Sequence, residues 1–413
     1  MKRQARQLAT AAALAASLAV QAQGLNTGMG GSDGDIESIA RRVANIEKKN
    51  DVFNLYLNYA ASAQAEYDSR DASWSGRFAN KQLRLEITGN LTDRLFYRLR
   101  HRLNRATDAK GEDNFALATD IMMVGYRFNR KLAVEAGKMC QIWGGFEFDE
   151  NPMTIYQYSD YGDNIDPFKA GITVSYRPSS TQELAVEVSN TLNESFDKEF
   201  GPGARLVDKK RDIYSAAAHT LQKSSLPFTY IVNWNGSFLD GLFTTRWAYG
   251  VSNPAKHQYN HRLTLGQKLS LPRAQWYVDY MAAFEAVDRL GYATADLYYG
   301  FRDLGYAPGD AVCGSVDSHS IISKLNWQFA PKWNLMLKGA YETTSMRHVP
   351  KYRNYRKAYS YLTSVEYFPV KRQDFRVFLA YVGRSYNFSR DSELNDYRTS
   401  RVELGFMYRI KAY

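Results

Sequence analysis

The sequence predicts an all-β fold, a transmembrane antiparallel β-barrel of about 16 strands, preceded by a short N-terminal helix of coiled-coil type. Three observations predict it. The N-terminus reads as an export signal, and the remaining chain has no apolar run long enough for a spanning helix. From Val52 onward, hydrophobic residues recur at every second position.

Lys2, Arg3 and Arg6 form a positive leader region, followed by a small-residue apolar stretch from Leu8 to Val20. Val20-Gln21-Ala22 fits a small-x-small cleavage site, so residues 1–22 read as a signal peptide. The stretch is shorter than the roughly 20 residues a spanning helix requires. No cysteine follows it to take a lipid. With helices excluded, a closed barrel is the remaining way to cross a bilayer, which places the mature chain in the outer membrane of a Gram-negative envelope. Thirty Tyr, 21 Phe and 7 Trp combined with a mean hydropathy of −0.47 suit a wall with one lipid face and one wet face. There are 53 Lys and Arg against 43 Asp and Glu, and losing the three leader cations leaves about +7. Such a balance favours anions. No basic run is present, so nucleic acid is not an expected partner.

Residues 23–35 are Gly/Ser-rich and read as a flexible linker. Over 36–50, Ile36, Ile39, Val43 and Ile46 occupy a and d positions of about two heptads, and β-branched residues at both favour three or four strands over two. A homotrimer is expected, with the barrel supplying most of the contact; the alternative is a helix lying on the barrel rim.

Residues 51–413 are the barrel. Phe53, Leu55, Leu57 and Tyr59 open a period-two pattern, and Val402, Leu404, Phe406, Tyr408 and Ile410 close it. Short turns belong on the periplasmic side and long loops outside. Counting back from the C-terminus makes 236–240 a periplasmic turn. Ile213 to Leu221 then becomes a helical turn inside an external loop, roughly 194–225. The wall is left with about 16 strands and eight external loops. In this register Trp234, Trp276, Trp327 and Trp333 fall beside periplasmic turns on the lipid-facing parity, where an aromatic girdle belongs. A soluble all-β repeat would share the alternation. The leader, the loop lengths and the tryptophans favour the barrel. Cys140 and Cys313 fall in two expected external loops, where a disulfide or two separate thiols are both open.

Arg94, Arg98, Arg100 and Arg102 alternate with Leu95, Tyr97 and Leu99 and project inward, as do Arg84, Arg246, Arg376, Arg384 and Lys338. The same parity adds Arg262, Lys268 and Lys324. An arginine facing lipid at midplane would cost about 2–4 kcal/mol. A column of fixed cations offers an anion successive shallow minima. The other reading is that these cations pair with Glu86, Asp279, Glu285 and Glu403 and stiffen the wall.

The most distinctive stretch is Trp143-Gly144-Gly145-Phe146-Glu147-Phe148-Asp149-Glu150-Asn151-Pro152, continuing through Ile155-Tyr156-Gln157-Tyr158-Ser159-Asp160-Tyr161 in the third external loop. Together with Gly137-Lys138 and Asn233-Trp234-Asn235-Gly236, it resembles the phosphate-selective porin O/P family in its Bacteroidetes-type branch. The resemblance implies a 16-stranded, usually trimeric barrel whose third loop folds inward to narrow the pore. It also implies, for phosphate-specific members, an arginine ladder and a lysine cluster that carry the anion. The loop departs from that pattern. Residues 141–168 hold Glu147, Asp149, Glu150, Asp160, Asp163 and Asp166, and no Lys or Arg. An acidic loop opposite a basic wall would set up a transverse field. The expectation is a passive channel for small hydrophilic solutes, with general or weak anion selectivity and phosphate as one candidate.

Asp160, Asp163, Asn164 and Asp166 are oxygen ligands at close spacing, but not in the twelve-residue helix-flanked pattern, so no metal and no cofactor are expected. His257 and His261 lie at a strand end, not on a helix. Asp317-Ser318-His319 resembles a catalytic string, yet neighbours on a strand point to opposite faces, and no enzymatic activity is expected. The alternatives to a channel are an outer-membrane anchor with little conductance and a barrel-embedded hydrolase.

Overall fold

The computed structural model describes residues 52–107, 111–150, 152–209, 219–297, 311–370 and 374–412. Sixteen antiparallel strands pair in sequence order, and the last pairs with the first to close a barrel. They are β1 (Asn54–Asp68), β2 (Ser73–Asn90), β3 (Leu95–Arg102), β4 (Thr119–Arg127), β5 (Leu132–Cys140), β6 (Phe168–Ser179), β7 (Gln182–Asn190) and β8 (Phe228–Phe238), then β9 (Phe243–Ala255), β10 (Gln258–Leu271), β11 (Ala274–Val287), β12 (Ala311–Ala330), β13 (Trp333–Met346), β14 (Arg356–Tyr367), β15 (Asp374–Phe388) and β16 (Tyr397–Lys411). Closure aligns Tyr59 with Tyr408 and Ala65 with Val402. No helix among the described residues is long and apolar enough to cross a membrane.

The alternation has a direct cause. Successive strand residues point to opposite faces, and here one face meets acyl chains. In β7, Leu184, Val186 and Val188 are exposed on the outside, while Glu183, Ala185, Glu187 and Ser189 are buried inside. The inner face is not uniformly polar: Tyr56, Phe96, Met281, Ile322 and Phe378 are also fully buried there.

The seven turns on the side of both barrel termini are short. The 239–242 turn carries left-handed φ at Leu239, Asp240 and Gly241, and Asn129 caps another by accepting from the amides of Lys131 and Leu132. The predicted turn at 236–240 is therefore displaced by a few residues. Trp234, Trp276, Trp327 and Trp333 all lie near this end, and the last three are exposed on the outer face. Trp234 is half-buried, donating to Gln182 and packing edge-on to Trp247 at 5.0 Å.

The opposite side departs from expectation in two places. Loops 69–72 and 256–257 are as short as periplasmic turns. The 191–227 loop is long, as predicted, and contains a helix (Phe196–Phe200) and a short strand (Arg205–Val207) parallel to the start of β12. Most of the helical turn expected from Ile213 lies outside the described residues, and His219–Thr220 is extended. The signal peptide, the linker and the 36–50 helix also lie outside them. Neither cysteine is in a loop body. Cys140 ends β5 and Cys313 lies near the start of β12, and both are free.

Strand length is uneven around the wall. β3, β4, β5 and β7 have only 8 or 9 residues, whereas β12 has 20 and β13 has 14. β2 has 18 residues but pairs with β3 only over Arg84–Asn90. Among the described residues, its external half, Ser73 to Gln82, is laddered to β1 alone. That free edge carries Phe78, 93% exposed, and Trp74, 66% exposed.

Candidate constriction site

The third external loop, 141–167, folds into the lumen and lies against the wall formed by β8 to β15. Gly144 and Gly145 make its entry possible. Both have positive φ, 70° and 77°, and a Cβ on Gly145 would stand 2.9 Å from the Met281 methyl. The Gly145 amide donates to the Arg246 carbonyl at 3.1 Å. Trp143, Phe146, Tyr161 and Ile165 then pack on Ile231, Tyr277, Met281 and Ile322 in one apolar cluster. This explains why the inner wall is apolar there: its neighbour is protein, not water.

Polar groups finish the attachment. Asp279 Oδ2 accepts from the amides of Phe146 and Glu147, each at 2.8 Å. Glu342 accepts from the amides of Asp160 and Tyr161 at 2.8 and 3.0 Å, and Glu187 from that of Ile142 at 3.2 Å. Ser159 caps the helical turn Asp160–Asn164 by accepting from Gly162 N, and its hydroxyl donates to Glu147. Burial pushes the Tyr161 hydroxyl up to about 12.

Each acidic residue of the loop has a basic partner. Glu147 pairs with Lys338, Asp149 with Arg246, and Glu150 with Lys324 at 2.6 Å. Asp160 is held by Arg356, Arg384 and the Tyr386 hydroxyl, Asp163 by Arg384 at 2.7 Å, and Asp166 by Lys169 at 2.9 Å. Their oxygens are committed to cations, Arg384 serving both Asp160 and Asp163, and among the described residues no three His, Cys, Asp or Glu groups converge as a metal site. The acidic loop thus does not confront the basic wall across open water; its charges are matched against the strands it lies on.

The cavity left beside the loop has a volume of about 790 Å³ and is bounded on its far side by the wall around β2 to β6. Here β3 reads Phe96, Arg98, Arg100, Arg102 on its inner face. The β2–β3 register sets Arg84 opposite Arg102 and Glu86 opposite Arg100. Arg102, Arg100 and Arg84 share one carboxylate, Asp120, at 2.7, 3.3 and 3.6 Å. Arg98 pairs with Glu86 at 2.6 Å, and Arg409, from β16, reaches the same carboxylate at 3.7 Å. Five guanidinium groups therefore face two carboxylates. Nε and Nη1 of buried Arg84 and Nε of Arg100 have no hydrogen-bond partner. Along this wall the arginines are paired with carboxylates, and Glu135 is buried in the same lining.

Of the other predicted inward residues, Arg376 lies inside, 3.4 Å from Glu366. Arg262 pairs with Glu285 at 2.7 Å, and Glu403 with Lys81 at 2.6 Å and with Arg401. Arg94 is a correction. It sits in the exposed 91–94 turn, where the Thr92 hydroxyl accepts from its amide, and it does not join the arginine wall. Asp120 escaped the sequence reading for a physical reason. A bulge between Arg100 and His101 skips it in the β3–β4 register, so a residue that strict alternation sends outward turns in. Ser318 is buried inside while His319 contacts Tyr280 at 2.9 Å, so the two do not meet. His261 contacts the Tyr249 hydroxyl at 2.7 Å, and His257 occupies a tight turn with φ 60°.

A closed 16-strand wall, an infolded third loop and a charged lumen are the anatomy of a diffusion pore. Among solved structures the chain is similar to the outer membrane channel DcaP of Acinetobacter baumannii, at 12% identity over 89% of this chain and 100% of that one, with a TM-score of 0.59. It is similar to the anion-selective porin from Comamonas acidovorans, at 10% identity over 87% and 100%, TM-score 0.53. The trimer form of OmpT of Vibrio cholerae, at 11% identity over 87% and 100%, has a TM-score of 0.50. These likenesses concern the fold. No curated protein matches the chain in sequence. The family profile for phosphate-selective porin O and P matches residues 53–410, and the chain belongs to that family as an outer-membrane porin.

Proposed function

We propose that the protein is a passive channel favouring anions, without the commitment to phosphate that the family name carries. The observation that carries this reading is the arginine wall, where Arg84, Arg98, Arg100, Arg102 and Arg409 gather around Asp120 and Glu86, with Glu135 the further carboxylate of that side of the cavity. Apart from Asp166, which Lys169 of β6 neutralises, the loop acids are neutralised by cations of the other wall, so they do not offset the arginines. Of the lysines in the cavity lining, Lys138 is held by Asp113 at 2.9 Å and lies beside the Phe115 ring, and Lys81 is held by Glu403 at 2.6 Å. Both are thus occupied with protein partners, which argues against a phosphate-stripping lysine cluster.

Planar-bilayer recording in a KCl gradient tests the reading. Stable ohmic steps with an anion-selective reversal potential are expected. Arg100→Gln should lower the chloride-to-potassium permeability ratio about tenfold, since one unit charge at roughly 6 Å in water is worth about threefold for each ion, with opposite sign. A cation-selective wild-type pore would refute the proposal.

The working form is a homotrimer. The free edge at Ser73–Gln82 supports it. Unpaired backbone groups and an exposed Phe78 are poorly served by lipid or water and well served by a neighbouring subunit. The similar OmpT fold, crystallised as a trimer form, is compatible with this assembly.

A further inference from the structure

The anion reading leaves open what kind of anion the constriction accommodates, and the lining of the cavity bears on that. Leu117, Ile121, Phe148, Ile155 and Phe168 line the same space as the arginines. The guanidinium of Arg100 lies 5.1 Å from the centre of the Phe168 ring, so charge and apolar surface are presented side by side. An inorganic oxyanion passing here would give up hydration on its apolar side and gain nothing for it. A carboxylate on a carbon frame would set its charged end on the arginines and its body against Phe168 and Ile121. The fork of a guanidinium matches a carboxylate as well as a phosphate, so the arginines alone do not discriminate between them. The apolar wall does. The space, about 790 Å³, is also in the range of pockets that hold small organic ligands.

We propose that the constriction is a weak binding site for organic carboxylates with an apolar or aromatic body, and that it prefers them to inorganic phosphate. This rests on the anion-channel reading and adds a solute class to it. Arg84 and Arg100 both line this cavity; their Nε atoms meet only Asp120, at 3.6 and 3.3 Å, both beyond a good hydrogen bond, and Arg84 Nη1 has no hydrogen-bond partner. Phe168 stands at the start of β6, where the third loop returns to the wall. A solute that reaches Arg100 therefore meets it directly.

The test is block of chloride current through the full-length protein in planar bilayers, with isophthalate, benzoate and inorganic phosphate added separately at matched ionic strength. Isophthalate should halve the chloride conductance at a concentration about tenfold below that required for phosphate, the effect of roughly two methylene equivalents withdrawn from water. Benzoate should fall between them. Phe168→Ala should narrow the gap between isophthalate and phosphate to less than about threefold. Should phosphate block at an equal or lower concentration than isophthalate in the wild-type pore, the organic-anion proposal is overturned while the anion-channel reading stands. A pore that is cation-selective in KCl alone removes both. The wild-type comparison needs no variant, so a Phe168→Ala protein that fails to fold leaves the test intact.

Discussion

Replacing Asp279 with alanine should loosen the first limb of the third loop. One oxygen of this carboxylate accepts two amide hydrogens at 2.8 Å, from Phe146 and Glu147, deep inside the wall. Hydrogen bonds to a charged group contribute about 1.5–3 kcal/mol each, so the pair is worth about 3–6 kcal/mol. Two effects reduce the loss. Asp279 repels Glu147 and Asp149, and that repulsion disappears with the carboxylate. Water can also reach the freed amides. A net cost of about 2–4 kcal/mol remains, raising the population in which residues 144–149 leave the wall by about 30-fold or more. The rest of the loop stays tethered through Glu342, Arg356 and Arg384. Single-channel recording should then show excess open-state noise and a raised mean conductance. Limited proteolysis with an aromatic-specific protease should cleave beside Phe146 or Phe148 sooner than in the wild type. Asp279→Asn, which keeps an acceptor oxygen, should fall between. Noise and cleavage rates equal to those of the wild type would show that the two amide bonds do not hold the loop.

Two further outcomes follow from the wall itself. Leu404, 58% exposed near the middle of β16, faces lipid, and Leu404→Arg should destabilise the folded barrel by about 2–4 kcal/mol, read from urea unfolding in lipid vesicles; an unchanged midpoint would contradict the parity of that strand. If the proposed trimer forms through the free edge of β2, Phe78→Asp should convert it to monomer on unboiled gels without altering the β-sheet circular dichroism, whereas an intact trimer would move the subunit contact elsewhere.

The barrel was legible because its wall is specified locally. Each strand meets the same two solvents, so a period of two recurs in every segment, and counting turns recovers sixteen strands. The loop motif around Trp143 to Tyr161 was legible as a unit, since two adjacent glycines and a run of aromatics make an unusual external segment. Its partners were not. Glu150 meets Lys324 and Tyr156 meets Glu366 across sequence separations of 174 and 210, and no local pattern encodes such a meeting. The acids meet Arg246, Arg384, Lys324 and Lys338, cations of the inward parity, but in direct pairs rather than across open water, because apolar contacts from Phe146 and Ile165 set the loop on that side. Parity placed Arg98, Arg100 and Arg102 but failed at both edges of its validity. Arg94 lies just beyond the end of the strand, and Asp120 sits at a bulge.

The uneven height of the wall has a consequence for the surrounding bilayer. A strand of 8 residues, tilted by about 40°, rises roughly 20 Å, against an apolar band of about 25 Å in barrels of this kind. The sector from β3 to β5 is therefore too low for the hydrocarbon layer, while β12 and β13 are tall enough. Lipid next to the low sector has to thin, at a cost that grows with each ångström of hydrophobic mismatch. Two such sectors turned toward each other share and reduce that deformation. The membrane itself thus draws copies together through the low side, and the attraction should weaken in vesicles of shorter-chain lipids.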